Sequence, residues 1–129
     1  MKNDITNIGE VKILVDSFYN KVRQDPTLKD IFENTIEDKW SVHLEKMYRF
    51  WQTVLLTEHT YTGSPFPPHV KLGIGPQHFE VWLKLFKETI EDNFYGAKAD
   101  EALWRAQKMA EMFQYKLDYL NNSTQNQLV

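Results

Sequence analysis

The chain of 129 residues contains no cysteine. That excludes disulfide scaffolds, thiolate zinc sites, iron–sulfur clusters and cysteine nucleophiles. Glycine is scarce, and Gly73-Ile74-Gly75 has neither the third glycine nor the preceding strand of a dinucleotide fingerprint. There is no phosphate loop, no His-Glu-x-x-His and no Glu-x-x-His, so zincin and di-iron carboxylate sites drop out. Basic excess is also missing: 15 Lys and Arg stand against 18 Asp and Glu, a formal charge of −3. Such a balance does not draw nucleic-acid phosphates. No apolar run approaches the roughly 18 residues of a membrane span. The N-terminus, MKNDITNIGE, lacks the apolar stretch of a signal peptide. The expectation is a soluble cytoplasmic protein of one domain, residues 1–129, without repeats and without nucleic-acid or membrane partners.

What is present is helical periodicity and many aromatic side chains, 8 Phe, 6 Tyr and 4 Trp, more than a plain helical bundle needs. The spacing predicts a first helix over 8–23, capped by Asn7 with Glu10 three residues on. Val11, Leu14, Val15, Phe18 and Val22 form its apolar stripe, with Tyr19 on the flank. Asp25-Pro26 provides a cap and first position for a short helix through Leu28, Ile31 and Phe32.

The helix predicted over 38–56 carries two apolar stripes about 100° apart. One holds His43, Met47, Phe50 and Val54; the other holds Leu44, Tyr48, Trp51 and Leu55. Glu45, Lys46, Arg49, Gln52 and Thr53 share the remaining side. A helix with two apolar faces must touch two different things. Pro76 opens the next helix, which runs to Asn93 and stops before Gly96, with Trp82 near the middle of a wide apolar arc. The last helix, over 99–120, packs Leu103, Ala106, Met109, Ala110, Phe113, Leu117 and Leu120 on one side. Trp104, Met112, Tyr115 and Tyr119 lie on the other, either folded back on loops or forming a partner surface. Residues 121–129 form a polar tail expected to fray. No segment alternates with period two, so the fold class is all-α.

Residues 57–76 break the periodicity with four prolines and three glycines. An irregular stretch of that length in a compact domain usually carries function or is disordered, and Phe66, His69, Val70 and Leu72 argue against disorder. His69 lies inside it, after Pro67-Pro68. A neutral imidazole on a short rigid turn makes a good axial ligand for a haem iron. From spacing alone, a local hydrogen-bonding role is the more common outcome for such a histidine. His43 and Met47, one turn apart with Phe50 beyond, form a face that would cover a flat apolar cofactor or equally serve as ordinary core. Tyr19 and Trp82 bring a hydroxyl and an indole N–H into apolar surroundings, where each wants a partner. Together these features suggest a large buried prosthetic group.

The spaced set Phe18-Tyr19, Val22-Arg23, Trp40-x-x-His43, Phe50-Trp51, Tyr61-x-Gly63-x-Pro65, His69-x-x-Leu72 and Phe79-x-x-Trp82-Leu83-x-Leu85-Phe86 resembles the bacterial group III truncated haemoglobins. The resemblance runs in register from about residue 8 to residue 115. The absence of Gly-Gly pairs, expected of groups I and II, agrees with it. It implies a shortened globin fold, two helices packed over two around haem b (iron protoporphyrin IX). His69 would match the proximal histidine bonded to iron. Tyr19 and Trp82 would match the distal hydrogen-bonding pair, and His43 the distal-helix histidine that gates the pocket. Met47 and Phe50 would line the distal face, with Phe18, Phe32 and Trp51 at the second layer or haem edge. His78, nine residues after His69, offers a rival axial ligand, but it is expected on the polar margin of its helix.

The function implied is binding of oxygen, nitric oxide or carbon monoxide. Donors from Tyr19 and Trp82 would stabilise the negative charge that bound oxygen carries. Tight retention suits redox chemistry such as turning nitric oxide into nitrate or reducing peroxide, and the residues do not choose between them. Electrons would come from an external reductase, since no flavin or nicotinamide motif is present. A monomer is expected. A haem-free helical interaction or sensor module is the alternative.

Overall fold

The computed structural model describes residues 2–61 and 74–127, with side chains to residue 120. Five helices follow one another: α1 (Ile8–Val22), α2 (Lys29–Ile36), α3 (Trp40–Leu56), α4 (Pro76–Asn93) and α5 (Ala97–Gln127). No strand forms among the described residues; one isolated bridge joins Asn3 to Phe94. α1 packs on α3 and α4, α4 packs on α5, and α3 touches α5. The result is one helical pair laid over another, as expected.

Local signals account for most boundaries. The Asn7 side chain accepts the Glu10 N–H at 3.1 Å and caps α1. The Glu10 carboxylate reaches one residue further back than an ordinary capping box, to the Thr6 N–H at 2.7 Å. Asp25 accepts from the N–H groups of Thr27 and Leu28 and starts the turn that leads into α2. Pro76 occupies the first turn of α4, where its missing N–H costs nothing. α5 extends seven residues beyond the expected Leu120, to Gln127.

The apolar stripes bury largely as their spacing predicts. Val11, Leu14, Val15, Phe18 and Val22 are buried, and Tyr19 joins them. Both apolar faces of α3 are used: Trp51 and Leu55 enter the core, while His43, Met47 and Phe50 face a pocket. Along α5, buried Ala99, Ala102, Ala106 and Ala110 recur every three or four residues. Small side chains at that spacing let α5 approach α4 closely.

Two expectations need correction. The spacing puts Gln52 on a polar face, yet it is only 7% exposed. The chain leaving α3 turns back over it: the Thr53 hydroxyl accepts from the N–H groups of Thr60 and Tyr61, and the Thr60 hydroxyl donates to Gln52 Oε1 at 2.9 Å. The stripe puts Leu120 in the core, yet it is 40% exposed, near the end of a helix that has passed the body of the domain. Trp104, Met112, Tyr115 and Tyr119, for which two outcomes stand open in the sequence, are exposed.

The start of α5 depends on a residue 94 positions away in sequence. Asp4 accepts from the N–H groups of Lys98 at 3.0 Å and Ala99 at 2.8 Å, satisfying two otherwise orphaned donors. Gly96 permits this approach. Its φ of +142° suits glycine, and a Cβ there would lie 2.5 Å from Asp4 Cγ.

Candidate functional site

Between the two helical layers lies a pocket with about 960 Å³ of unfilled space, its open mouth included. α1 supplies Val15, Phe18 and Tyr19 to its wall; Leu28 precedes Ile31 and Phe32 of α2. α3 supplies His43, Met47, Phe50 and Trp51. Ile74 precedes His78, Phe79 and Trp82 of α4, and α5 adds Met109, Ala110 and Phe113. Of the nine residues singled out in the sequence, eight therefore meet at one cavity: Phe18, Tyr19, Phe32, His43, Met47, Phe50, Trp51 and Trp82. The ninth, His69, lies outside the described residues.

The polar groups of the wall sit in an aromatic frame. The Tyr19 ring meets Phe18, Phe32, Trp40 and His43 edge-on, with centroids 5.0, 6.0, 5.8 and 5.0 Å away. Edge-to-face contacts on four sides fix where the hydroxyl points. Burial pushes the phenol pKa well above its ordinary value of 10, so Tyr19 keeps its proton and remains a donor at neutral pH. Trp82 stacks on Phe86 at 5.6 Å and meets Phe18 edge-on at 5.4 Å. Phe86 in turn stacks on Trp51 at 5.2 Å. Phe18 thus touches both Tyr19 and Trp82 and spaces the two donors on one wall.

A charged clamp braces this corner from outside. The Arg23 guanidinium lies 4.3 Å above the Trp40 ring, and its Nε donates to Glu33 at 2.8 Å. The Trp40 indole N–H donates to the same carboxylate at 3.3 Å. The Arg23 hydrogen bond, with help from Trp40, holds the Glu33 carboxyl below its usual range. The clamp joins the end of α1, the middle of α2 and the start of α3, the three segments that bear Tyr19, Phe32 and His43.

His78 departs from expectation. It sits in the first turn of α4 as predicted, yet it lines the pocket instead of lying on a polar margin. Its Nδ1 accepts the Gly75 N–H at 2.8 Å. The other unforeseen wall residues, Val15, Leu28, Ile31, Ile74, Phe79, Met109, Ala110 and Phe113, are apolar, and most belong to stripes that look like ordinary core.

The wall suits a flat apolar macrocycle. No Lys, Arg, Asp or Glu appears among the described lining residues. A few polar groups, from Tyr19, His43, His78 and Trp82, converge on an otherwise apolar and aromatic space. No group of three His, Asp or Glu side chains able to hold a bare metal ion occurs among the described residues. An iron held by its own macrocycle fits this lining better than an ion held by protein ligands alone.

Comparison with known proteins agrees with that geometry. Residues 5–115 match the family described as bacterial-like globins. The chain is 38% identical over 121 residues to the group 3 truncated hemoglobin of Campylobacter jejuni, covering 91% of this chain and 95% of that one. A crystal structure of group III truncated hemoglobin from Campylobacter jejuni superposes with a TM-score of 0.82 at 38% identity, over 91% of this chain and 95% of that one.

Proposed function

This chain belongs to the bacterial-like globins, within them to the group III truncated haemoglobins, and on that footing we propose that it holds haem b in the pocket between its helical layers and binds oxygen there. The observation that carries the proposal is the meeting of Tyr19, His43 and Trp82 with an aromatic wall at one cavity. When bound, the haem supplies the ferrous iron that takes a diatomic ligand. His69 would be the residue that holds the iron, through its imidazole. Tyr19 and Trp82 would present their O–H and N–H as hydrogen-bond donors to that ligand. A pre-set donor in an apolar site loses little energy to reorganisation, so it stabilises charge more than the same group in water would. Met47, Phe50 and Phe32 exclude water, and His43, edge-on to Tyr19, controls entry to the donors.

Retention of oxygen by two donors favours redox use over transport. The two uses that fit are conversion of nitric oxide to nitrate and reduction of peroxide, with electrons from an external reductase. Nitric oxide and carbon monoxide are further ligands of the same site. The chain works as a monomer in the cytoplasm; no described helix is long and apolar enough to cross a membrane.

The test is a visible spectrum of the purified protein after titration with haemin. A Soret band saturating at one equivalent per chain is expected, with an oxygen-dependent spectrum after reduction. The exposed Trp104, Met112, Tyr115 and Tyr119 of α5 favour a partner surface as a second reading. A haem-free interaction module would show no Soret band under the same titration.

A further inference from the structure

His78 is the polar residue of the pocket to which the function above gives no task. It is half-buried, in the first turn of α4, one helical turn before Trp82. Its ring faces the cavity where α4 begins, beside Ile74 and Phe79. The hydrogen bond from Gly75 decides what this ring can do. A backbone N–H only donates, so Nδ1 must present its lone pair to it, at 2.8 Å. A neutral imidazole has one lone pair and one N–H. With the lone pair of Nδ1 engaged, the proton sits on Nε2. In that tautomer Nε2 has no lone pair for a metal, so His78 is fixed as a hydrogen-bond donor and is unsuited to ligating iron.

The group it would serve follows from the rest of the wall. No lysine or arginine appears among the described lining residues, and Tyr19 stands with His43 in the aromatic frame beneath the Arg23–Glu33 clamp. An amphipathic cofactor buries its apolar plane and leaves its carboxylates where the pocket meets water. A half-exposed N–H donor at that edge has the chemistry to hold one of them. Resting on the haem reading above, we infer that His78 is a cofactor-binding residue, its Nε2–H donating to a carboxylate on the haem edge while Gly75 locks its tautomer.

The test compares haem b with its dimethyl ester, in which both carboxylates are masked, in the full-length protein. The quantity read is the rate at which each cofactor leaves for an excess of acceptor apoglobin. A hydrogen bond to a charged acceptor corresponds to roughly 10- to 100-fold in dissociation. His78→Phe keeps an aromatic ring but removes the donor. It should speed loss of the diacid by at least about 10-fold and leave loss of the ester nearly unchanged, so the ester-to-diacid ratio falls. His78→Gln, which offers an oxygen to Gly75 and an N–H to the carboxylate, should keep most of the wild-type ratio. Comparing ratios cancels any general loosening of the fold.

An unchanged ratio in His78→Phe would overturn the inference and leave haem binding standing. Loss of the ferrous iron–histidine vibration in His78→Phe would also overturn it, by making the ring an iron ligand. A wild-type protein with no Soret band would remove the haem reading, and this inference with it.

Discussion

Replacing Tyr19 by Phe separates ligand binding from folding. The substitution removes one hydroxyl and leaves the ring, so the edge-on contacts to Phe18, Phe32, Trp40 and His43 survive. Burial is the one cause that raises the phenol pKa; no hydrogen bond to another described residue contributes. A buried hydroxyl without such a bond gives the fold little, so its loss should change stability by less than about 1 kcal/mol. Oxygen retention should respond differently. A charge-assisted hydrogen bond lost from the bound ligand corresponds to about 1.5–3 kcal/mol, or roughly 10- to 100-fold faster release. Trp82→Phe removes the second donor and also shrinks the ring stacked on Phe86, so it should cost about 1 kcal/mol of stability as well.

The assay is stopped-flow displacement of oxygen by carbon monoxide, paired with thermal unfolding of the same proteins. Each single variant should release oxygen faster than wild type, and the double variant faster than either. Because Phe18 touches both Tyr19 and Trp82, their effects should not simply add. A double variant that releases oxygen at the wild-type rate would refute the assignment of donors. So would a loss of several kcal/mol of stability in Tyr19→Phe alone, which would make the hydroxyl structural.

Further outcomes follow from other parts of the chain. His69→Gly should leave a folded helical protein that holds haem weakly, and added imidazole should restore much of the spectrum; a native ferrous spectrum without imidazole would move the axial ligand elsewhere. Asp4→Ala should destabilise by about 1–2 kcal/mol at neutral pH through loss of the α5 cap, read by urea unfolding. Although burial opposes it, hydrogen bonds from the N–H groups of Lys98, Ile5 and Ala99 hold the Asp4 carboxyl below its ordinary 3.8. The stability it contributes is therefore present above about pH 4 and lost as pH falls through the depressed value. The gap between wild type and Asp4→Ala should narrow below pH 4, and a gap constant down to pH 2 would contradict the cap. Gly96→Ala should cost at least about 1–2 kcal/mol, because the left-handed backbone and the crowding against Asp4 act together; an unchanged melting temperature would mean that Asp4 does not approach there.

The helices were legible because their signals are local. Asn7, Asp25 and Pro76 act within one turn of themselves, and the stripes of α1 and α3 repeat at the helical period whatever lies opposite. The two apolar faces of α3 even announced that this helix would have two neighbours. Tyr19, His43, Met47, Phe50 and Trp82 stood out by residue type and spacing, and the resemblance added Phe18, Phe32 and Trp51, which periodicity alone could not separate from core.

What was not legible depends on meetings between distant parts of the chain. Met109, Ala110 and Phe113 belong to the same stripe of α5 as buried Ala106, and no property of that stripe tells which turns of it face a cavity. That is settled only by what the packed helices place opposite each turn. Gln52 looked solvated until the returning segment brought Thr60 to it. His78 looked marginal because a helical wheel assigns a side without saying what stands opposite. Asp4, an unremarkable acidic residue near the N-terminus, caps a helix 94 residues later. Periodicity is a property of neighbours along the chain, whereas burial and capping are properties of neighbours in space, and those neighbours exist only once the helices have packed.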